Sequence, residues 1–256
     1  MFDDMLCKYI WRDANVGYSF QPSLGASRGL VTLWDSSQVE VWSTTSFDHV
    51  ILITSRFYKS NEQFVVLNIY APCDVSRQHS LWVNISNRLG TYADKNVCIC
   101  GDFNVVRSVS ERRSVGSIQR HLGMAGLNQF IDGNLLIDLP LRGRSFTWFK
   151  GDGKSMTRID QFFLSEKWCL TWPNCFQLAT SRGLSDHCPL LLLIDEENWG
   201  PRPLWLLKCW ENFPGYKMFV RDQWHSFQLE GWGGYVLKEK LKLLKLALKD
   251  WHLRHS

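Results

Sequence analysis

Short apolar stretches, some alternating with polar residues and some continuous, recur through roughly the first 200 residues. A period of two indicates a strand with one buried face, and a short continuous run indicates a strand buried on both faces. The last run, HCPLLLLI at 187–194, is expected to be a buried strand. We predict strands at 28–42 (two, around a turn at Asp35–Ser37), 49–58, 63–72, 96–104, 144–149, 158–164 and 187–194.

Two ranges between these strands have helical spacing. Residues 76–90 place Leu81, Ile85 and Leu89 on one face, and Gly90 is a suitable C-cap. Residues 127–136 are also expected to be helical, whereas the polar stretch 107–123 predicts a loop. Strands that alternate with helices predict an α/β arrangement of packed sheets flanked by helices.

The character of the chain changes near its C-terminal end. Residues 197–204 contain two prolines and a glycine, which predicts a boundary between residues 1–196 and residues 197–256. Leucines at helical spacing with lysines between them then predict an amphipathic basic helix over 236–254. We expect this helix to pack its leucine face on the protein.

Composition and charge narrow the class of protein. The sequence contains no unbroken apolar run of about 18 residues or more, so we expect no transmembrane helix. The acidic start MFDDMLCKYIW argues against secretion. The eight cysteines contain no Cys-x-x-Cys, so we expect buried thiols, including Cys98 and Cys100. The net charge of +4 comes from the tail, because residues 201–256 hold ten basic and five acidic residues.

Polar side chains with chemical potential follow several predicted strands. Strand ends fix such groups while the following loop exposes them. Each also has an ordinary structural interpretation: Asp102 in a turn, Asp160 paired with Arg158 or Lys154, Asp186 as a loop or N-cap residue, and Tyr70 in strand packing. The set comprises Asn68, Tyr70, Asp102, Asn104, Asp160, Asp186 and His187.

Taken together, these segments match one family. NIYAP, GDFN, RIDQFFLS and LSDHCPL, in this order, resemble the endonuclease/exonuclease/phosphatase superfamily. FTWFKGDG and DEENWGPRPL resemble the endonuclease domain of plant LINE-type (non-LTR) retrotransposons and the linker that follows it. The resemblance implies a four-layer α/β sandwich, in which two facing β-sheets are flanked by helices. It also implies hydrolysis of phosphate esters with Mg²⁺ (or Mn²⁺).

The resemblance assigns five catalytic residues. Asp102 matches the residue that orients or deprotonates the attacking water, and Asn104 matches the residue that hydrogen-bonds that carboxylate or the phosphate. Tyr70 matches a tyrosine beside the scissile phosphate. Asp160 and His187 match a pair in which the carboxylate fixes the imidazole against the phosphate.

The resemblance also assigns binding residues. Asp186 matches an acidic metal ligand, and Asn68 is an expected substrate-binding residue. Thr147 and Trp148 lie where loops of the family approach DNA, which makes them expected substrate contacts. A phosphodiester carries negative charge that grows in the transition state, so a hard cation and a hydrogen-bond donor are the chemistry it requires.

The start of the chain departs from the family pattern. Family members begin with a strand that carries an asparagine and later present a glutamate that is the principal Mg²⁺ ligand. MFDDMLCKYIW resembles sequence that follows this glutamate. We therefore expect the first β-α-β unit to be missing, Mg²⁺ to bind weakly, and turnover to be slow.

Three functions are compatible with these patterns. The first is a Mg²⁺-dependent DNA endonuclease, acting on DNA in the nucleus or cytoplasm and not at a membrane. The second is a phosphatase of the same superfamily that acts on a small phosphate ester. The third is a catalytically dead retrotransposon remnant that binds nucleic acid or a partner through its basic tail.

Overall fold

The structure is a computed structural model that describes residues 4–12, 14–23, 29–114, 122–195 and 215–255. The chain forms two compact units, Met1–Glu196 and Glu197–Ser256. The predicted boundary segment, 197–204, lies outside the described residues. We describe each unit by itself.

The first unit contains both helices and strands. Its helices are α1 (Asp4–Trp11), α2 (Val75–Leu89), α3 (Leu122–Gly133) and α4 (Glu166–Thr171). Its strands are β1 (Val16–Gln21), β2 (Leu30–Asp35), β3 (Val39–Phe47), β4 (Val50–Phe57), β5 (Gln63–Tyr70), β6 (Asn96–Asp102), β7 (Arg112–Arg113), β8 (Ile137–Asp138), β9 (Leu141–Gly143), β10 (Trp148–Phe149), β11 (Met156–Thr157), β12 (Asp160–Leu164), β13 (Cys175–Ala179) and β14 (Leu190–Ile194).

A six-stranded sheet forms the centre of this unit. Its strand order is β3-β4-β5-β6-β12-β8. Strands β5 and β6 run parallel, and α2 makes the crossover between them, as parallel neighbours require. Strand β12 then returns antiparallel to β6. The carboxyl ends of β5 and β6 and the start of β12 therefore meet at one edge.

Strand alternation divides the apolar residues between the two faces of this sheet. On one face, Val65, Leu67 and Ile69 of β5 belong to a core shared with α2 and α3. On the other face, Phe64 and Leu164 pack with residues of α4, β13 and β14. The three-stranded sheet β14-β13-β9 thus faces the central sheet, and the expected α/β sandwich class is confirmed.

Several predicted elements have different bounds or surroundings. The final strand was expected to be buried, and this is wrong: among the described strands β14 pairs with β13 alone, and Leu191 and Ile194 are 41% and 50% exposed. Within 144–149 only Trp148–Phe149 is a strand, and it belongs to a small sheet of order β10-β11-β7. The Arg-rich stretch predicted as a loop contributes β7 to that sheet.

The second unit is helical, as predicted. It contains α5 (Tyr216–Ser226) and α6 (Gly233–His255), which pack through Tyr216, Leu248 and Trp251. Leu237 and Leu241, near the start of α6, are more than half exposed. Among the described residues, no helix has the length and apolar character needed to cross a membrane.

Candidate active site

Three polar side chains form a row across the edge of the central sheet. Tyr70 of β5 is the register partner of Asp102 on β6, and Asp102 is the partner of Asp160 on β12. Directly paired residues project from the same face of a sheet. Buried apolar residues precede Tyr70 in β5 and Asp102 in β6 and follow Asp160 in β12, so the strands hold the row in place.

His187 joins this row from a different part of the chain. A single β-bridge pairs His187 with Trp148, and the main-chain N–H of Phe149 donates to the carbonyl of Asp186 over 2.9 Å. These bonds bring the imidazole Nδ1 to 2.8 Å from Asp160 Oδ2. The hydrogen bond that His187 Nδ1 donates to Asp160 raises the pKa of His187, and burial opposes the shift. The Asp160 carboxylate thus stabilises the protonated form of the imidazole.

The environment of Asp102 disfavours its charged form, because its carboxylate is buried beside that of Asp160. Burial is the largest cause that raises its pKa to about 6, and the negative charge of Asp160 adds to the shift. A hydrogen bond of 2.9 Å from the main-chain N–H of Asn104 to Asp102 Oδ1 opposes it. A pKa near neutrality suits a group that accepts a proton.

Asn104 is held in the left-handed region, with φ of 52°. This conformation directs its main-chain N–H to Asp102, while its side-chain Nδ2 donates to the carbonyl of Ala71 over 2.7 Å. The expected link between Asn104 and Asp102 therefore exists, but the main chain makes it. The carboxamide is fixed at the end of β5, beside the row.

The row opens into a cleft of about 580 Å³. The cleft is lined by six of the predicted site residues, namely Tyr70, Asp102, Asn104, Trp148, Asp186 and His187. Trp148 Nε1 donates to Asp186 Oδ2 over 2.9 Å, so the indole and the carboxylate form one rigid wall. The predicted substrate contact of Trp148 is compatible with this position and stays a prediction.

Two predicted substrate contacts, Asn68 and Thr147, do not line the cleft. Asn68 Nδ2 donates to the Val31 carbonyl and to Thr32 Oγ1, so this side chain ties β5 to β2. Thr147 is 0% exposed, which leaves no surface for a substrate. Its Oγ1 instead accepts hydrogen bonds from the main-chain N–H groups of Ile159 and Asp160. Thr147 is thus a positioning residue for the start of β12.

Several residues that shape the site were not predicted from the sequence. Arg158, expected as a partner of Asp160, instead binds Glu111 and Asp138 at 2.8 and 2.7 Å. This buried cluster holds the segment before β7 against the start of β12. Arg112 of β7 lines the cleft. In the sequence, Arg112 is one arginine in a polar stretch, and nothing local distinguishes it. Its position depends on the pairing of β7 with β11, which forms only in the folded chain.

The residues of the site fit a divalent cation. One ligand atom each from Asp102, Asp160 and His187 lies within 4.8 Å of the others. Burial and the negative charge of Asp160 raise the pKa of Asp102, and a bound cation would offset both effects. Hard cations such as Mg²⁺ take one or two carboxylates and complete their shell with water and phosphate oxygens. An open cleft with Asp102 and Asp186 on its walls permits this arrangement.

Comparison with protein families matches residues 18–187 to the endonuclease/exonuclease/phosphatase family. The chain belongs to this family. The matched range is more than half of the 256 residues and contains every residue of the row, together with His187. Members of the family usually use a divalent metal, in agreement with the acidic and imidazole group described above. Curated proteins gave no match.

Solved structures share the fold at low sequence identity. A humanized D. rerio TDP2 has a TM-score of 0.53 and 13% identity, covering 75% of this chain and 81% of its own. An endonuclease/exonuclease/phosphatase from Bacteroides vulgatus has a TM-score of 0.50 and 12% identity, covering 75% and 90%. A conserved protein of unknown function from Enterococcus faecalis has a TM-score of 0.50 and 14% identity, covering 76% and 82%. These likenesses establish the fold alone.

Proposed function

We propose that the chain is a Mg²⁺-dependent phosphodiester hydrolase that acts on DNA as an endonuclease. The observation that carries the proposal is the row Tyr70–Asp102–Asp160, with His187 hydrogen-bonded to Asp160 at one end. This row supplies an acceptor for a water proton and a donor for a phosphate oxygen on one wall of an open cleft.

Asp102 is the proton acceptor in this proposal. Its ionised carboxylate takes a proton from the attacking water as the bond between the water oxygen and phosphorus forms. The bond between phosphorus and the ester oxygen breaks, and the leaving alkoxide takes a proton from solvent. The N–H of Asn104 holds the carboxylate in position through Oδ1. Tyr70, next to Asp102 in register, lies where its hydroxyl can donate to a phosphate oxygen.

His187 is the charge-stabilising donor. Asp160 binds Nδ1, which leaves the Nε2–H of the imidazolium available for the negative charge that grows on the phosphate. A bound Mg²⁺ would supply further charge stabilisation at the phosphate oxygens. Asp186 is the carboxylate of the cleft that would hold it.

The affinity for Mg²⁺ is expected to be low. Among the described residues, no glutamate lines the cleft, and Asp186 already accepts a hydrogen bond from Trp148. A site with few carboxylates binds Mg²⁺ weakly unless substrate phosphates complete the coordination. We therefore propose an impaired enzyme that needs high Mg²⁺ concentrations.

We further propose a LINE-type retrotransposon as the origin of the chain and DNA as its substrate. The support is the resemblance of FTWFKGDG at 146–153 and of the segment from residue 195 to such endonucleases. Access to DNA would place the protein in the nucleus, or in the cytoplasm before import.

Supercoiled plasmid tests this function. We expect conversion to the nicked circle with about 10 mM Mg²⁺ and none with chelator, since the carboxylates need a cation to hold the phosphate. Hydrolysis of inositol phosphates without nicking would instead support a phosphatase. Absence of both activities would support a non-enzymatic remnant.

A further inference from the structure

The small sheet β10-β11-β7 presents a second row of side chains to the cleft. Trp148 pairs with Thr157, and Thr157 pairs with Arg112, so all three project from one face. All three line the cleft. Because Trp148 also bridges to His187, the row runs from the Asp160–His187 pair outward to Arg112.

Arg112 has an unusual charge environment. It is the one arginine or lysine among the described residues that line the cleft, where Asp74, Asp102 and Asp186 also lie. Its neighbour Glu111 is engaged by the Arg158 guanidinium at 2.8 Å. In the described part of the chain, no carboxylate lies within ion-pair distance of Arg112. Its exposed guanidinium is therefore available to an anion.

The geometry separates this anion from the scissile phosphate. Neighbouring strands lie about 4.8 Å apart, so three steps separate the Cα atoms of His187 and Arg112 by roughly 14 Å. Side chains that project from one face of a sheet keep about the spacing of their strands, so an arginine that projects straight from this sheet meets an anion beside the phosphate at His187. An anion held there belongs to another part of an extended substrate.

We propose that Arg112 binds a backbone phosphate of a nucleic-acid strand, beside the phosphate that is cleaved. The residue thereby favours polymeric substrates over small phosphate esters. This inference rests on the proposed function, and it adds a specificity determinant to it. Guanidinium groups suit phosphate because their N–H donors form paired, charge-assisted hydrogen bonds.

The chain offers a matched control in the adjacent residue. Arg113 pairs with Met156, which pairs with Phe149, so this row projects from the opposite face of the same small sheet. Arg113 is exposed like Arg112 but does not line the cleft. Substituting either arginine by alanine removes one positive charge from the same strand.

The first test measures binding without turnover. In a His187→Ala background with Mg²⁺, a fluorescent single strand of roughly 12 nucleotides is titrated at several salt concentrations. We expect Arg112→Ala to weaken binding on the order of tenfold and to reduce the slope of log K against log salt by about 0.7 to 1. Arg112→Lys should keep the slope, and Arg113→Ala should bind like the parent.

The second test measures length dependence. We expect Arg112→Ala to lower the ratio of kcat/KM for this strand to kcat/KM for a dinucleotide by about tenfold. Arg113→Ala should keep the wild-type ratio. Equal losses in both alanine variants, no loss in Arg112→Ala, or no binding by the parent would overturn the inference. If the wild type hydrolyses no phosphodiester, the proposed function fails, while the binding comparison still decides the role of Arg112.

Discussion

Asp102 and Asp160 face each other on adjacent strands, and their shared environment sets the protonation of the site. The two carboxylates have different partners. Asp160 is hydrogen-bonded to the His187 imidazole, whereas Asp102 accepts one hydrogen bond from a main-chain N–H. Burial, and then the negative charge of Asp160, raise the pKa of Asp102 to about 6, while the pKa of His187 rises because Asp160 stabilises its cation.

The raised pKa of Asp102 predicts a pH-dependent stability difference. The folded state holds this proton more tightly than the unfolded state, so the stabilisation is present below about pH 4 and is lost as pH rises to about 6. In chelator, we expect Asp102→Asn to be more stable than wild type by about 2 kcal/mol at about pH 8. The difference should vanish near pH 4, as measured by urea unfolding.

Asp132 provides the control for this measurement. It lies exposed on α3, so Asp132→Asn should leave the free energy of unfolding within about 0.5 kcal/mol at both pH values. A stability gain in Asp102→Asn that is the same at acid and neutral pH would contradict the assignment, because it would not arise from ionisation.

At the scale of elements, Gly101 permits β6 to approach β5. Its φ of +129° is a conformation that side chains rarely adopt, and an added Cβ would lie 2.0 Å from the carbonyl oxygen of Ile69. We expect Gly101→Ala to lower the free energy of unfolding by about 2 to 4 kcal/mol and to displace Asp102. Chemical denaturation measures the loss.

Gly90 is the matched glycine for that comparison. It has a helical φ of −54°, and no atom lies within 4 Å of an added Cβ. We expect Gly90→Ala to be neutral or to stabilise by up to about 1 kcal/mol. Similar losses at both positions would show that β6 does not depend on the close approach.

Thr147 holds the start of β12 through two hydrogen bonds to its hydroxyl oxygen. Thr147→Val keeps the shape but leaves the N–H groups of Ile159 and Asp160 without their buried acceptor. We expect a stability loss of about 1 to 3 kcal/mol and a lower pKa for His187, because Asp160 is displaced. Histidine NMR titration measures the pKa, and Thr147→Ser should restore it. An unchanged titration in Thr147→Val would contradict the positioning role.

The sequence predicted the elements whose signal is local. The alternation in 49–58 and 63–72 identified β4 and β5, and the spacing of Leu81, Ile85 and Leu89 identified α2. A run of apolar residues does not indicate how many strands will pair with it. Residues 187–194 therefore appeared buried, although β14 lies at a sheet edge.

The sequence identified those site residues whose side-chain type and local motif indicate catalytic chemistry. The structure brings Tyr70, Asp102, Asp160 and His187 together at one sheet edge. The burial of Thr147 and the position of Arg112 depend on the register of β7, β10 and β11. These strands have two residues each, too few for an alternating pattern to reveal them.

At the scale of the whole molecule, charge and chemistry are separated along the chain. The site lies in the first unit, while the positive net charge comes from residues 201–256, in the second. Long-range attraction of a polyanion would therefore come from the tail, and local phosphate contacts from the cleft. Nicking should decline steeply with added salt, because both contributions are electrostatic.

The most direct measurement is the nicking rate of supercoiled plasmid by matched variants in Mg²⁺. We expect Asp102→Ala and His187→Ala to lower the rate by at least about 100-fold, since each removes a group that acts on the reacting phosphate or water. Asp132→Ala, an equal change of charge on the exposed face of α3, should retain the wild-type rate. Nicking that persists unchanged in Asp102→Ala and His187→Ala would contradict the assignment of this site.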